Sequence, residues 1–500
     1  MKRIICLVLA LIMVFSLALV GCQGDTETKT GAGAGEGGGN NQATTSDPNS
    51  IYDAPIKKLN REITIIRRSG TSHLAANEIY AESITGEKLN DAVYSRNAKL
   101  TELYGITFKD ALVTDNLKTE LTAGEYMGDI IFHVINTLKS YANSGLLVDW
   151  ASLDNIDLNK NWWNQNLATN VNIGGKSFFI TGDAATLDDR ATWALFFNKG
   201  LVADAQLESP YKLAERGEWT VTKMLEYVNA VAENKNDDGV AHTLNTDIVG
   251  YGCSKFSNWA HVAGAGQYIS NIAADGTITI PEEPKRELLD ALSALKPLLT
   301  STNRYNSAAT TPFKNGTLGF CSVNLASIVG LPDSSVEFGV IPYPKVLPNQ
   351  SGYYFTVSHA QFGVFVMPRS VDQDARKDWE ANGFATAYEQ IAYVMEAFAY
   401  HSIETVKPAF FEQILAKQTV RDVESIHWLE VTVDPKNCIL DPTCLFNFNK
   451  LGYQIFYDLN PTADTFVDDI SYDNFVSNYK ERCEGAKTAL EEYLLITEIV

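Results

Sequence analysis

The sequence predicts an α/β protein built as two lobes, with a last third that is mostly helical. Three observations carry this. From Ile63 onward, short apolar and β-branched runs alternate with segments of helical period, the pattern of a parallel sheet flanked by helices. Removing a 21-residue leader from the 500 residues leaves 479, too many for one compact core. After Ala385 the apolar residues recur mainly at helical spacing.

Lys2 and Arg3 open the chain, and an apolar run from Ile4 follows, ending at Leu19-Val20-Gly21-Cys22. A positive start, an apolar stretch and a small residue before the cut make a secretory signal. The run is slightly short for a membrane span of about 20 residues. The cysteine after Gly21 resembles the bacterial lipobox, which implies that Cys22 is acylated and becomes the mature N-terminus. Residues 23–50 hold almost no large apolar groups, so burial cannot offset their ordering entropy. The expected layout is a leader over 1–21, then a lipidated cysteine and flexible tether over 22–54. The lipid would hold the body at the extracellular face of the cell membrane, which suits a Gram-positive-type cell with a single membrane.

The chain has 61 acidic and 40 basic residues, a net charge of −21. So acidic a protein disfavours nucleic acid and bare anionic lipid as partners. Of 7 cysteines, Cys6 leaves with the leader and Cys22 carries lipid; Cys253, Cys321, Cys438, Cys444 and Cys483 remain. An odd count outside the cell leaves at least one free thiol. Cys438 and Cys444 flank Ile-Leu-Asp-Pro-Thr, a turn that a disulfide could close. No CxxC pair or HExxH occurs and the 7 histidines are scattered, so no metal or other cofactor is expected.

The elements follow in order. Ile63–Ile66 reads as a strand closed by the loop Arg67–Thr71, and a helix from Gly86 or Lys88 stops at Gly105, where glycine suits the left-handed cap. Ile106–Phe108 is a strand, Leu117–Ala123 a short helix, Asp129–Phe132 a buried strand and Leu138–Ser144 a helix. Phe178–Ile180 and Thr192–Asn198 read as strands. Thr220 caps a helix carrying Val221, Leu225, Val228 and Val231. Ile248–Tyr251 and Thr277–Ile280 are strands, Glu287–Leu299 a helix, and Gly319–Val323 and Phe338–Ile341 strands, the last closed by Pro342-Tyr343-Pro344. Helices over Ala385–Tyr400, Pro408–Lys417, Asp422–Leu429 and Tyr472–Ile496 complete the chain.

Several segments match family landmarks in order: Glu102-Leu103-Tyr104-Gly105-Ile106, Leu121 to Ile130 (with Gly128 where proline is usual), Tyr141 to Asp149, Ala194 to Lys199, Trp219-Thr220, and Gly339 to Pro344. On these, the chain from about Ile63 to its end resembles the bacterial extracellular solute-binding lipoproteins of ABC importers, within the sugar-binding family that includes maltose-binding protein. The resemblance implies a two-lobed periplasmic-binding-protein-like fold, each lobe a mostly parallel sheet flanked by helices, joined by crossover strands around a cleft that closes by hinge motion. With crossovers near Arg190–Trp193 and Pro342–Lys345, the N-lobe is 55–190 plus 345–400 and the C-lobe 191–342 plus 401–500. It also implies a monomer that captures a carbohydrate, an oligosaccharide by preference, for ABC permease subunits. A sensor subunit for a membrane kinase and a binder of a non-sugar solute are the alternatives.

In open α/β sheets ligands sit beyond the C-terminal strand ends. A sugar needs aromatic faces for its rings and fixed polar groups for its hydroxyls. Arg68 and Ser69 follow the first strand. His133, Asn136 and Thr137 follow Asp129–Phe132, where the resemblance implies a stacker and two polar contacts. Asp183, Arg190 and Trp193 lie around the first crossover, where they either touch ligand, lock the hinge or form an internal ion network. Ser254, Phe256 and Trp259 follow the strand at Ile248; Trp259 is the preferred stacking platform, its alternative being a place between lobe helices. Asn324 follows the strand ending at Val323. Tyr353 and Tyr354, with His359 nearby, are a sugar platform or the hinge floor. Trp162-Trp163 reads as structural. A secreted carbohydrate-active enzyme needs two carboxylates about its bond, and 61 acidic residues always offer a pair. No nucleophile elbow, Walker A loop or dinucleotide fingerprint stands out, so a binder is expected, not an enzyme.

Overall fold

The computed structural model describes residues 56–68, 78–171, 174–235, 247–274, 276–306, 310–329, 336–416, 423–459 and 472–499. The leader, Cys22, the tether and Ser69 lie outside these. The strands are β1 (Arg61–Arg67), β2 (Ile106–Leu112), β3 (Ile130–Val134), β4 (Trp193–Asn198), β5 (Val249–Cys253), β6 (Asn271–Ile272), β7 (Ile278–Thr279), β8 (Arg304–Tyr305), β9 (Leu318–Asn324), β10 (Phe338–Ile341) and β11 (Gly363–Val366).

Two main sheets result. One has the order β11-β3-β1-β2, parallel except for β11 against β3. The other has the order β10-β4-β9-β5-β8, with β4 antiparallel to both neighbours and β5 parallel to β9 and β8. Every residue of β4, β9 and β10 is buried, which is why these strands read as continuous apolar runs and not as alternating ones. Helices end where local chemistry stops them. Gly105 takes φ 65° and returns its N–H to the carbonyls of Leu100 and Thr101, closing the helix Lys88–Tyr104. The Thr220 hydroxyl accepts from Lys223 N and starts Val221–Val231.

The lobes are joined by two antiparallel segments. Trp193 N donates to Thr356 O at 2.9 Å, Ser358 N donates to Ala191 O at 2.8 Å, and Thr192 bridges Val357. The first crossing runs through Ala191–Trp193. The return crossing falls at Phe355–Ser358, a correction to Pro342–Lys345. That stretch stays with the second sheet, where Lys345 N donates to Trp219 O at 2.9 Å and Val221 N to Lys345 O at 2.8 Å. Its prolines end β10 without turning the chain across.

Phe178–Ile180 is corrected as well. It meets β11 only through a bridge from Ile180 to Phe365, because Gly182, at φ 145°, turns the chain beneath Trp162. The last third is not confined to the C-lobe. Val406 and Phe410 cluster with Leu89 and Val93 from the helix behind the first sheet. Lys139 Nζ, on the helix after β3, donates to Phe446 O at 2.7 Å. Residues 50–500 accordingly form one compact unit.

Cys253, Cys321, Cys438, Cys444 and Cys483 are buried free thiols, so the disulfide considered for Cys438 and Cys444 is not formed. Buried Asp441 braces that turn instead, accepting from Ile269 N at 2.5 Å, Ser270 Oγ at 2.8 Å and Thr443 N at 2.8 Å. Among the described residues no helix is long and apolar enough to cross a membrane.

Candidate functional site

A cavity of about 610 Å³ opens where the joining segments meet the second sheet. Its walls come from Trp193 and Ser358–Gln361 at the hinge, Ser254–Phe256 after β5, Asn324 and Ser327 at the end of β9, and the short helix Tyr453–Tyr457. The C-terminal ends of β5 and β9 therefore supply the floor, as expected for an open α/β sheet.

Its aromatic wall is built by spacing. Tyr453 and Tyr457 stand four residues apart, on one face of their helix. Tyr453 stacks on His359 with centroids 3.2 Å apart and planes 12° apart. Phe256 meets Tyr457 edge to face at 5.0 Å and 88°. Phe256 is also 50 % exposed, an uncovered ring at the rim. The polar wall is tied across the hinge. Asn324 Nδ2 donates to Gln361 Oε1 at 2.6 Å, and Asn324 Oδ1 accepts from Ser327 N at 3.0 Å and Ser327 Oγ at 2.8 Å.

Two histidines near the cleft are held neutral. Burial pushes His359 down to about 3. Burial, with the charge of Arg68 adding to it, pushes His133 down to about 4. The His133 Nδ1 accepts from Val134 N at 2.8 Å.

Of the residues singled out in the sequence, Trp193, Ser254, Phe256, Asn324 and His359 line the cavity. Asn136, half-buried, does not line the cavity, but lies near enough to Tyr453 to oppose slightly the burial that pushes that hydroxyl up. Thr137 is exposed one residue on. Arg68 follows β1, its N–H donating to Phe132 O at 3.2 Å. Trp259 is 4 % exposed, packs on Phe456 at 5.1 Å and donates from Nε1 to Thr356 Oγ1 at 3.2 Å, so it stands behind the cavity wall.

Asp183 and Arg190 lie in a separate ion network. Asp183 pairs with Lys407 at 3.0 Å and Arg190 with Glu78 at 2.8 Å. Tyr353 packs edge-on against Trp428 at 5.6 Å, and the Tyr354 hydroxyl bonds Ser351 Oγ at 2.9 Å; neither lines the cavity. Trp162 and Trp163 are buried, with Trp163 Nε1 donating to Glu396 at 2.7 Å. Sequence reasoning missed Lys255, Gln361, Tyr453, Gln454 and Tyr457; the Tyr-x-x-x-Tyr spacing after Gly452 was the available signal.

Two α/β lobes are joined by paired crossing segments, with a cavity at their junction. Solved structures of similar fold are known. The cyclic α-maltosyl-1,6-maltose binding protein from Arthrobacter globiformis matches with TM-score 0.50 and 13% identity, over 88% of this chain and 99% of that one. An ABC substrate-binding protein from Listeria monocytogenes in complex with cycloalternan matches with TM-score 0.48 and 14% identity, over 87% and 99%. No protein-family model and no curated protein matches the chain.

Proposed function

We propose that this protein is a solute-binding protein that captures an oligosaccharide between its lobes and delivers it to an ABC permease. The observation that carries this is the hinge cavity. It joins the aromatic faces of Trp193, Phe256, Tyr453 and Tyr457 to the neutral hydrogen-bonding groups of Ser254, Asn324, Ser327 and Gln361, the mixture a sugar requires. A glycosidase would need two carboxylates about the bond; the aromatic, amide and hydroxyl lining favours capture over cleavage. The Arthrobacter protein of like fold binds a cyclic maltosyl saccharide, which supports the same reading.

Capture works by differential affinity. A ligand that touches both lobes only when they are closed shifts the open–closed equilibrium by its preference for the closed state. The permease then reads the closed rims. Acylated Cys22 and the tether keep the monomeric binder at high local concentration beside the permease.

Differential scanning fluorimetry and calorimetry against a panel of mono- and oligosaccharides test this. At least one sugar should raise the melting temperature, because a ligand that binds only the folded state stabilises it. No response to any sugar, with a response to peptides or other solutes, would remove the carbohydrate reading.

A further inference from the structure

We infer that the oligosaccharide taken by this site is acidic, a uronic-acid-type saccharide whose carboxylate is received by Lys255 and Arg68. The inference rests on the sugar-binding reading above and names its ligand class.

The first observation is a contrast in charge. The chain carries 61 acidic residues and a net charge of −21. Yet no Asp or Glu is among the described residues lining the 610 Å³ cavity, and the one lining residue with a full charge is Lys255. Neutral sugars are commonly held by carboxylates that accept from their hydroxyls. Apart from Lys255 and the Trp193 indole, the polar side chains of the lining are amides, hydroxyls and a neutral imidazole. Lys255 forms no ion pair among the described residues, and its Nζ lies 5.8 Å from the centre of the exposed Phe256 ring. A sugar ring seated on Phe256 therefore has an uncompensated ammonium at its side.

The second observation comes from the other lobe. Arg67 spends its guanidinium on Asp110, with bonds of 2.6 and 2.8 Å. Among the described residues the next one along, Arg68, has no such partner: its Nη1 is buried and makes no hydrogen bond to them. A buried donor left unpaired is costly, the more so on a charged group. Arg68 follows β1 at the C-terminal edge of the first sheet, its N–H bonded to Phe132 O and its charge close enough to His133 to push that imidazole further down. A carboxylate is the group that satisfies a guanidinium with charge-assisted hydrogen bonds. With His133 and His359 held neutral, these two unpaired charges, Lys255 in the cavity lining and Arg68 at the first sheet's edge, are both cations. They also offset the repulsion that so acidic a protein exerts on an anion.

Isothermal titration with galacturonate and glucuronate oligosaccharides, each beside its own carboxyl-reduced counterpart, tests this in the full soluble chain. The acid forms should bind at least about tenfold tighter than the reduced forms and weaken as salt rises. Lys255→Met, which leaves the fold intact by its unchanged melting curve, should weaken the acid forms by about tenfold and the reduced forms little. Arg68→Gln should do the same from the other lobe. If the reduced or other neutral sugars bind as well as the acids, the acidic ligand falls and the sugar-binding reading stands. If no saccharide of either kind binds, both fall together.

Discussion

Thr192 and Val357 look into one hollow at the hinge, while Trp193 and Ser358, the next residue along each joining segment, look into the other. Extended chain turns successive side chains to opposite faces, so a ribbon two segments wide separates two very different spaces. The first is small, about 40 Å³, and is walled by Asp183, Asp188, Asp189 and Lys407. The second is the 610 Å³ cavity with its aromatic and amide walls. Charge is concentrated on the face that no ligand of sugar size can enter. Lys407, from the helix Val406–Ala416, lies 3.0 Å from Asp183 and 2.9 Å from Asp189. The C-terminal third is thereby pinned to the segment Leu187–Arg190 that leads into the crossing. Burial pushes Asp188 and Asp189 up, with the neighbouring acid raising Asp188 further and Lys407 drawing Asp189 back. One face holds the hinge in place, and the other is left open to cargo.

Removing the cation should break this contrast most severely. Lys407→Met leaves Asp183 and Asp189 in a confined space without their counter-charge, at a cost of about 3 kcal/mol. Denaturant unfolding should show that loss. Calorimetry on the folded variant should show sugar affinity within about twofold of the parent if the ribbon insulates one face from the other. A parallel collapse of affinity would mean that the ion cluster sets the cleft geometry.

Glu396 gives the next largest effect, as a buried acid that lacks the lysine Asp189 has. Burial pushes it up to about 7, with Trp163 Nε1 drawing it partly back. Its folded value lies above the unfolded value of 4.5, so the folded state holds the proton more tightly. This contribution to stability is full below pH 4.5 and is lost as pH rises to about 7. Glu396→Gln should therefore gain about 3 kcal/mol near pH 8 and almost nothing near pH 4. An unchanged pH slope in chemical denaturation would assign the slope to other groups.

Much of this architecture was legible because its signals are local. Gly105 stops a helix, Thr220 starts one, and the apolar runs at Ile248 and Gly319 form strands whose ends carry Ser254 and Asn324 to the cavity. The return crossing left no such signal. Thr356-Val357-Ser358 becomes a hinge only by pairing with Ala191–Trp193, more than 160 residues earlier, and Pro342-Tyr343-Pro344 marks a strand end without saying where the chain goes next. Tyr453 and Tyr457 were hidden for a related reason. They sit in a five-residue helix, and only the folding back of the C-terminal third brings them to His359. For Trp259 the sequence left two readings open. Its helix, Asn258–Gly264, is buried on every side, so no period separates a platform from a packed wall.

The smallest expected effect on stability is also the most discriminating for the open face. Phe256 meets Tyr457 at its edge and keeps half its surface in solvent. Truncation to alanine removes little packing, so Phe256→Ala should change folding stability by less than about 0.5 kcal/mol. If the exposed ring is the surface on which a sugar stacks, the same change should weaken binding about tenfold, or about 1.4 kcal/mol. Phe256→Tyr should keep most of the affinity, because it preserves the ring face. Loss in both variants would point to a shape requirement at the rim. Full affinity in Phe256→Ala would shift the stacking role to Tyr453, whose ring is already engaged with His359, and the open face would then need to rearrange before it could hold a ligand.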